Sequence, residues 1–416
     1  MRKQDVDAAN VAMRELFPET PLQLNEHLSR KYGAEIWLKR EDLSPVRSYK
    51  IRGAFNFMRK VIAGGGGDTT FVCASAGNHA QGFAFVCRHF GVQGVVFMPV
   101  TTPQQKIEKT RTFGGEFVKI RLVGDIFDQC YKAARDHAAE TNGHMVPPFD
   151  HEDIIEGQAT VAAEISVQLP EAATPDLMIM PVGGGGLSAG ITGYFDGILD
   201  RKNYRFTEPT GAPSLKRSLE TGAIVTLPKV DNFVDGAAVA RIGDLNFQAL
   251  RGFSADQVRL VPENAICVTM IEMLNVEGVV LEPAGALSIA ALSLMPSEEI
   301  AGKTIVCIVS GGNFDFERLP DVKERAMRYS GVKKYFILRL PQRPGALRDL
   351  LGLFGPDDDI SRFEYLKKSA RNFGSILIGI ETSNPNNFIG LMQRFEEAGL
   401  GFEDITNNDI VANLII

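Results

Sequence analysis

The chain has 416 residues, 44 Lys and Arg against 51 Asp and Glu, a net charge of −7 and 44% apolar content. That length predicts two or three domains whose cores need no disulfide staples. The acidic balance, with no Lys/Arg cluster, excludes the usual nucleic-acid or anionic-membrane surface and favours small-molecule chemistry. The five cysteines (Cys73, Cys87, Cys130, Cys267 and Cys307) form no C-x-x-C pair and read as small core residues. No apolar run reaches membrane-spanning length, and MRKQDVDAANVAMREL lacks a signal-peptide core. Cytoplasmic residence is expected, with neither membrane nor nucleic acid as partner.

Up to about Phe316, short apolar runs alternate with longer helical patterns. Ile36–Leu38, Thr70–Ala74, Gly94–Met98, Leu177–Val182 and Ile305–Val309 read as buried strands. Ile51–Ala63, His79–Phe90, Thr102–Thr112, Gln158–Gln168 and Leu187–Ile198 read as helices. This alternation predicts an α/β fold with a mostly parallel sheet and a ligand beyond the carboxyl ends of its strands. The character changes at Arg318–Gly331, a charged helix ended by glycine. Beyond it, strand-like Tyr335–Leu340, helix-like Pro344–Phe354, strand-like Ser361–Lys368 and Gly374–Glu381, a helix near Pro385–Ala398, and finally Phe402–Ile405 and Val411–Ile416 give the ferredoxin-like βαββαβ order. The expected organisation is a main domain over 1–317 with a smaller subdomain at about 50–147, a connecting helix at 318–333, and a C-terminal domain at 334–416.

Gly183–Gly186 follows the apolar run Leu177–Val182 and opens the helix beginning at Leu187. Glycines there leave main-chain N–H groups uncovered, and the helix start adds partial positive charge, which suits a phosphate. The other run, Gly64–Gly67, ends a helix and reads as a linker. Gly184-x-Gly186-x-x-Ala189 also meets the loose dinucleotide pattern, but Asp200 comes too early to be its ribose-binding acid. Gly302-Lys303-Thr304 has a Walker-type ending, yet position 297 is Ser and not Gly. Lys50, in Ser48-Tyr49-Lys50-Ile51-Arg52-Gly53, begins a helix after a polar segment that leads off a strand. Alone it would be a solvated charge. A phosphate loop and a lysine nucleophile together suggest pyridoxal phosphate (PLP) chemistry. Ser75-Ala76-Gly77-Asn78-His79 reads either as a helix cap or as a cradle for a substrate carboxylate. Ser310-Gly311-Gly312-Asn313 repeats the theme after Ile305–Val309. The six histidines show no paired metal spacing, so no metal site is expected, and no G-x-S-x-G elbow exists.

The motifs WLKREDLSPVRSYKIRGAFN (37–56), ASAGNHAQG (74–82), GGGGL (183–187), VDGAAVARIGD (234–244), EPAGA (282–286), SGGN (310–313), FILRLPQRPGALRDLL (336–351) and DDISRFEYLKK (358–368) span nearly the whole chain. On them the chain resembles the threonine dehydratases (threonine ammonia-lyases) in their shorter biosynthetic form. The resemblance implies a fold-type II, tryptophan synthase β-like catalytic domain followed by a ferredoxin-like ACT domain. It implies that Lys50 carries PLP and moves the Cα proton, and that Tyr49, where many relatives have Phe, lies beside the ring. Asn78 would bind the PLP 3′-oxygen, and Gly183, Gly184, Gly185, Gly186 and Leu187 the phosphate. Ser310 would face the pyridine nitrogen. Ser75, Ala76, Gly77, Asn78 and His79 would hold the substrate carboxylate. The implied reaction turns L-threonine, with L-serine as a second candidate, into the oxoacid and ammonia, 2-oxobutanoate in the case of threonine. This would be the first committed step of isoleucine biosynthesis. Threonine synthases usually carry Lys-Asp-Arg-Gly where this chain has Lys50-Ile51-Arg52-Gly53. Serine racemases carry a second Ser where it has Ala76.

The resemblance further implies feedback by isoleucine or valine at the ACT-like domain, with Arg343, Arg348, Phe363 and Tyr365 as candidate contacts, and a homotetramer. Relatives often bind a cation near a loop that Glu208, Ala212 and Ser214 match loosely. Two other readings stay open: a NAD oxidoreductase using the glycine run, and a non-catalytic amino-acid sensor. Lys50, Asn78 and Ser310 speak against the sensor.

Overall fold

The computed structural model describes residues 2–170, 174–366 and 372–408. The expected strand Val411–Ile416 and the Lys367–Lys368 end of another lie outside the described residues. The chain divides into two units, Met1–Asp315 and Phe316–Ile416. In the first, six strands lie in the order Leu22–Leu24, Glu35–Arg40, Thr304–Val309, Leu177–Pro181, Tyr204–Pro209 and Val258–Val261. Every neighbouring pair is parallel except the first. Leu177–Pro181 is buried throughout, because helices cover both faces. A second, all-parallel sheet has the order Val118–Leu122, Gly94–Met98, Phe71–Ala74 and His144–Met145. All five cysteines are buried. Among the described residues no helix is long and apolar enough to cross a membrane.

The helix Glu152–Gln168 is the hub of the first unit. The expected helix Gln158–Gln168 thus starts six residues earlier, where the His151 Nδ1 accepts the Asp153 N–H at 3.1 Å. Two other helices approach it at backbone distance. A methyl group on Gly157 would come within 2.5 Å of the Arg52 carbonyl oxygen, in the helix Lys50–Val61. One on Gly190 would come within 2.7 Å of the Ile155 carbonyl oxygen, from the helix Gly186–Tyr194. The helix that begins with Lys50 and the helix that follows the glycine run are therefore docked on one rod.

A buried ion network locks this arrangement. Arg52 is fully buried and donates to Glu41 at 2.8 and 2.9 Å, to Glu164 at 2.8 Å through both terminal nitrogens, and to Thr20 and Thr160. Lys39, also fully buried, donates to Glu164 at 2.6 Å. Burial works against the Glu164 charge, but Arg52 and Lys39 outweigh it and hold its carboxyl well below the usual range. The network joins the strand Glu35–Arg40, the Lys50 helix and the hub helix.

The second unit has its own core, with Phe336, Leu338, Ile376, Ile378, Phe388 and Phe395 at its centre. Its antiparallel sheet has the order Asp358–Leu366, Phe373–Thr382, Lys333–Pro341 and Gly401–Asp404. Helices Ala346–Leu351 and Asn387–Glu397 complete the order βαββαβ. The preceding helix, Leu319–Tyr329, is tied to this sheet through Lys333, which pairs with Glu324 at 2.6 Å and Glu381 at 2.8 Å.

Replacing Arg52 by Met leaves two buried carboxylates facing each other. Removing one partner of such a set costs about 3–5 kcal/mol. Denaturant unfolding of Arg52→Met should show a lower midpoint of that order, and an unchanged midpoint would refute the role given to the network.

Candidate active site

Four polar segments meet at the carboxyl ends of the parallel strands. The strands Glu35–Arg40, Thr304–Val309 and Leu177–Pro181 are neighbours in the larger sheet, and each is followed by one of these segments. The first leads to Lys50. Its approach is fixed by the second, through the Ser48–Gly311 bridge and the Tyr49 N–H to the Ser310 carbonyl at 3.2 Å. Arg47 sits at φ 56° to make that turn. The fourth segment, Ser75–His79, comes from the smaller sheet.

Lys50 is half-buried, and its Nζ donates to the Pro148 carbonyl at 2.9 Å. The Nζ lies 5.3 Å from the Tyr49 ring centre and 5.7 Å from that of Phe149. Burial pulls its pKa down to about 8, with Glu282 opposing. The neutral amine is thus accessible near neutral pH, as a nucleophile or proton acceptor requires. Phe149 also touches the glycine run, since a methyl group on Gly184 would lie 2.3 Å from its ring. Phe149 therefore stands between the lysine and the loop, and no motif in the sequence pointed to it.

Gly185 has φ 91°, in the left-handed region that favours glycine, and it caps the helix Gly186–Tyr194. The N–H groups from Gly183 to Ser188 have no acceptor among the described residues. They include the Leu187 N–H. Such a row of unclaimed donors at a helix start suits a dianionic phosphate.

The Asn78 Nδ2 donates to Glu282 Oε1 at 2.7 Å, and its Oδ1 accepts from Asn313 Nδ2 at 2.8 Å. Ser310 is buried, and its hydroxyl donates to the Ala284 carbonyl at 3.2 Å. The N–H groups of Ala76, Asn78 and His79 are unclaimed among the described residues. Ser75 differs, since its N–H goes to the Phe97 carbonyl at 3.0 Å and its hydroxyl accepts the Gly77 N–H at 3.2 Å. The His79 ring turns away to the Val146 carbonyl at 2.9 Å, and burial, with Lys50 second, lowers its pKa to about 4. His79 can therefore offer a ligand its main-chain N–H and not a charged ring. Glu282, which opens the motif EPAGA (282–286) and precedes Pro283 at a helix start, was given no role from the sequence.

The fit to PLP is good. There is a lysine amine of lowered pKa, a row of free N–H donors for the phosphate, and two buried polar atoms, Ser48 Oγ and Asn313 Oδ1, without partners among the described residues. No such fit exists for a cation at Glu208. Its carboxylate accepts the Leu215 N–H at 2.7 Å, the Lys216 N–H at 2.9 Å and the Ser214 hydroxyl at 3.3 Å, capping the helix Ser214–Thr221. No cluster of His, Cys, Asp or Glu among the described residues is arranged to hold a metal.

In the second unit a cavity of about 90 Å³ is lined by Leu340, Ala346, Leu350, Leu353 and Leu400, with Arg343 and Asp349 as its charged members. Those two pair at 2.8 Å. Of the four residues expected at an effector site, Arg343 lines this cavity and the other three do not. Arg348 is exposed nearby, its guanidinium and that of Arg343 both lying within 4 Å of a methyl group placed on Gly345. Phe363 and Tyr365 stand on the edge strand Asp358–Leu366, after a bulge between Ile360 and Arg362. They oppose the buried Ile378 and Ile376, yet remain about a third exposed, because the edge strand lies at the margin of the core.

Residues 14–311 match the family model of pyridoxal-phosphate-dependent enzymes, and residues 324–415 match that of the C-terminal regulatory domain of threonine dehydratase. The chain is 42% identical to the biosynthetic L-threonine dehydratase IlvA of Halalkalibacterium halodurans, covering 99% of both chains. It is also 42% identical to the Bacillus subtilis protein of that name, over 98% of this chain and 96% of the relative. Among solved structures it resembles the processed form of threonine deaminase isoform 2 from Solanum lycopersicum. That likeness has a TM-score of 0.71 and 35% identity, over 78% of this chain and 93% of the other. Maize serine racemase is similar at a TM-score of 0.69 and 26% identity, over 79% and 98%. With a PLP-type catalytic unit and this regulatory region on one chain, the protein belongs to the biosynthetic threonine dehydratase family of pyridoxal-phosphate-dependent enzymes.

Proposed function

We propose that this protein deaminates L-threonine to 2-oxobutanoate and ammonia, with PLP held at Lys50, as the committed step towards isoleucine. The observation that carries the reading is the meeting of the Lys50 amine, the unclaimed N–H groups of Gly183–Leu187 and the Ser310 hydroxyl at one sheet edge. PLP, when bound, supplies an aldehyde for the amine and a conjugated ring that takes up the electrons released at Cα. The Gly183–Leu187 N–H groups hold its phosphate and Tyr49 flanks its ring. Asn78 donates to its 3′-oxygen. The N–H groups of Ala76, Asn78 and His79 take the substrate carboxylate and orient the Cα–H bond towards the Lys50 amine, which accepts the proton. Ser310, whose hydroxyl donates to the Ala284 carbonyl here, would face the pyridine nitrogen. A neutral hydroxyl does not keep that nitrogen protonated as a carboxylate would. With a neutral hydroxyl at that position, loss of the β-hydroxyl would be favoured over reprotonation at Cα. Water lost with the hydroxyl is regained when the nitrogen leaves as ammonia, so threonine loses only NH3 overall.

The regulatory reading places an aliphatic amino acid, isoleucine or valine, in the cavity of the second unit. Arg343 would take its carboxylate, Asp349 its ammonium, and Leu340, Leu350, Leu353 and Leu400 its side chain. The exposed apolar side chains Leu347, Leu351, Phe363, Leu366 and Phe373 support a homo-oligomer built partly through this unit, with the homotetramer as the expected form.

Lys50→Ala should abolish the visible absorbance of the purified protein and the release of 2-oxobutanoate, leaving the far-ultraviolet circular dichroism unchanged. An active, coloured variant would refute the assignment. The apoprotein should take up PLP faster as pH rises through about 8 and level off above, because only the neutral Lys50 amine attacks the aldehyde. A rate flat across that interval would contradict the lowered pKa. Arg343→Ala should raise the isoleucine concentration for half-inhibition by roughly 10- to 100-fold, the loss of a charge-assisted hydrogen bond. Unchanged inhibition would place the effector elsewhere.

A further inference from the structure

We propose that Glu282 is a positioning residue that fixes which end of the Asn78 amide faces the cofactor. The inference rests on the reading that Asn78 donates to the PLP 3′-oxygen. An amide presents an oxygen and a nitrogen of nearly equal shape, and only its partners decide which points where. Here two contacts, one at each end of the amide, decide it. The Asn78 Nδ2 donates to Glu282 Oε1 at 2.7 Å, and Asn313 Nδ2 donates to Asn78 Oδ1 at 2.8 Å. The second hydrogen of Asn313 Nδ2 goes to the Val46 carbonyl at 2.7 Å, so Asn313 cannot turn over without losing that contact. Reversing Asn78 would set its oxygen against the carboxylate and its NH2 against the NH2 of Asn313. One orientation survives. It commits one Nδ2 hydrogen to Glu282 and leaves the other for a ligand.

The surrounding packing is consistent with a dedicated device. Glu282 is buried at the start of the helix Pro283–Leu292, whose Ala284 carbonyl receives the Ser310 hydroxyl. A methyl group on Gly311 would lie 2.2 Å from Glu282 Oε1, so the carboxylate occupies the space that this glycine leaves open. No Lys or Arg forms an ion pair with Glu282 among the described residues. The charges that act on it are those of Asp235, Lys106, Lys50 and Lys109. Burial and Asp235 push its pKa up to about 7 against the hydrogen bond from Asn78, a cost that a structural filler would not incur. As carboxylate or acid it keeps an oxygen that accepts from Asn78.

The test is a cycle of full-length variants, wild type, Glu282→Met, Asn78→Ala and the double variant, each titrated with PLP by visible absorbance. The pH profile of the bound cofactor's spectrum is read in parallel. Glu282→Met should bind PLP about tenfold more weakly, the loss of roughly one hydrogen bond, and should shift the spectral pH profile. In the Asn78→Ala background the same change should add nothing, because Glu282 acts through that amide. Full additivity, or a wild-type spectrum and affinity in Glu282→Met, overturns the proposal. If Asn78→Ala itself binds PLP with wild-type affinity and spectrum, the reading of Asn78 falls first and takes the proposal with it. Should Glu282→Met not fold, Glu282→Asp serves in its place. One methylene shorter, it draws the acceptor beyond hydrogen-bond reach of Asn78, and wild-type PLP affinity in it overturns the proposal equally.

Discussion

The placement of Lys50 depends on Arg52, two positions further along the same helix. A fully buried guanidinium is tolerable only if every donor is met, and here Glu41, Glu164, Thr20 and Thr160 meet them. Those partners come from the loop after the strand Glu35–Arg40, from the hub helix Glu152–Gln168, and from the segment before the first strand. Satisfying one side chain thus fixes the first turn of the Lys50 helix in three directions. A hydrophobic residue could fill the same volume, but it would not specify orientation. The Gly157 contact then sets the distance to the hub, and the Gly190 contact sets the glycine run on the same rod.

Once the elements are set, the electrostatics of the site follow from burial. Lys50 is placed where its charge is poorly solvated, so its amine is released near neutral pH. A phosphate held at the glycine run would meet dipoles, the unclaimed N–H groups of Gly183–Leu187. Dipoles stabilise the phosphate without raising the positive potential at Lys50 as a full cation would. His79 follows the same logic. A charged imidazolium beside Lys50 would be costly, and burial, with the Lys50 charge second, keeps it neutral against the pull of the Val146 carbonyl.

Much of this was legible in the sequence, because the buried strands are continuous apolar runs and each is followed by a Gly-rich or polar loop. Gly94–Met98 was read with its observed bounds, and Lys50–Val61 and Asn78–Phe90 nearly so. Val118–Leu122 was not foreseen, since this edge strand exposes Lys119 and Leu122 and carries no run of buried residues. The strand before Glu208 departs from an apolar run through Arg205 and Thr207, yet Tyr204–Pro209 forms it, and Thr207 and Glu208 are fully buried. The site residues that escaped were those whose role is purely spatial. Phe149 and Pro148 meet Lys50 from about a hundred positions away, and Glu282 meets Asn78 across 204. A motif can suggest that a residue is special, but only folding reveals which distant partner it answers to. In the C-terminal domain the pattern gave the βαββαβ order, yet the charge that joins Arg343 at the cavity, Asp349, lies on the following helix and was given no role from the sequence.

That cavity can be weighed against the energy a regulator must supply. Arg343 and Asp349 are both about half exposed, so their mutual pair contributes little and is readily given up. An aliphatic amino acid bound there would exchange this weak pair for two charge-assisted contacts, one to each end of its zwitterion. Its side chain would enter a cavity of about 90 Å³, smaller than the roughly 150 Å³ that admits benzene, and of a size for three or four carbons. At about 0.8 kcal/mol per buried methylene, that gives on the order of 3 kcal/mol. The polar contacts bring the total near the roughly 5.5 kcal/mol needed to reverse a hundredfold-biased two-state equilibrium. Such a switch works only if nearly all of this energy is denied in the other state. The residues that would have to deny it are those that line the cavity, from the helix Ala346–Leu351 and from Ala398 and Leu400.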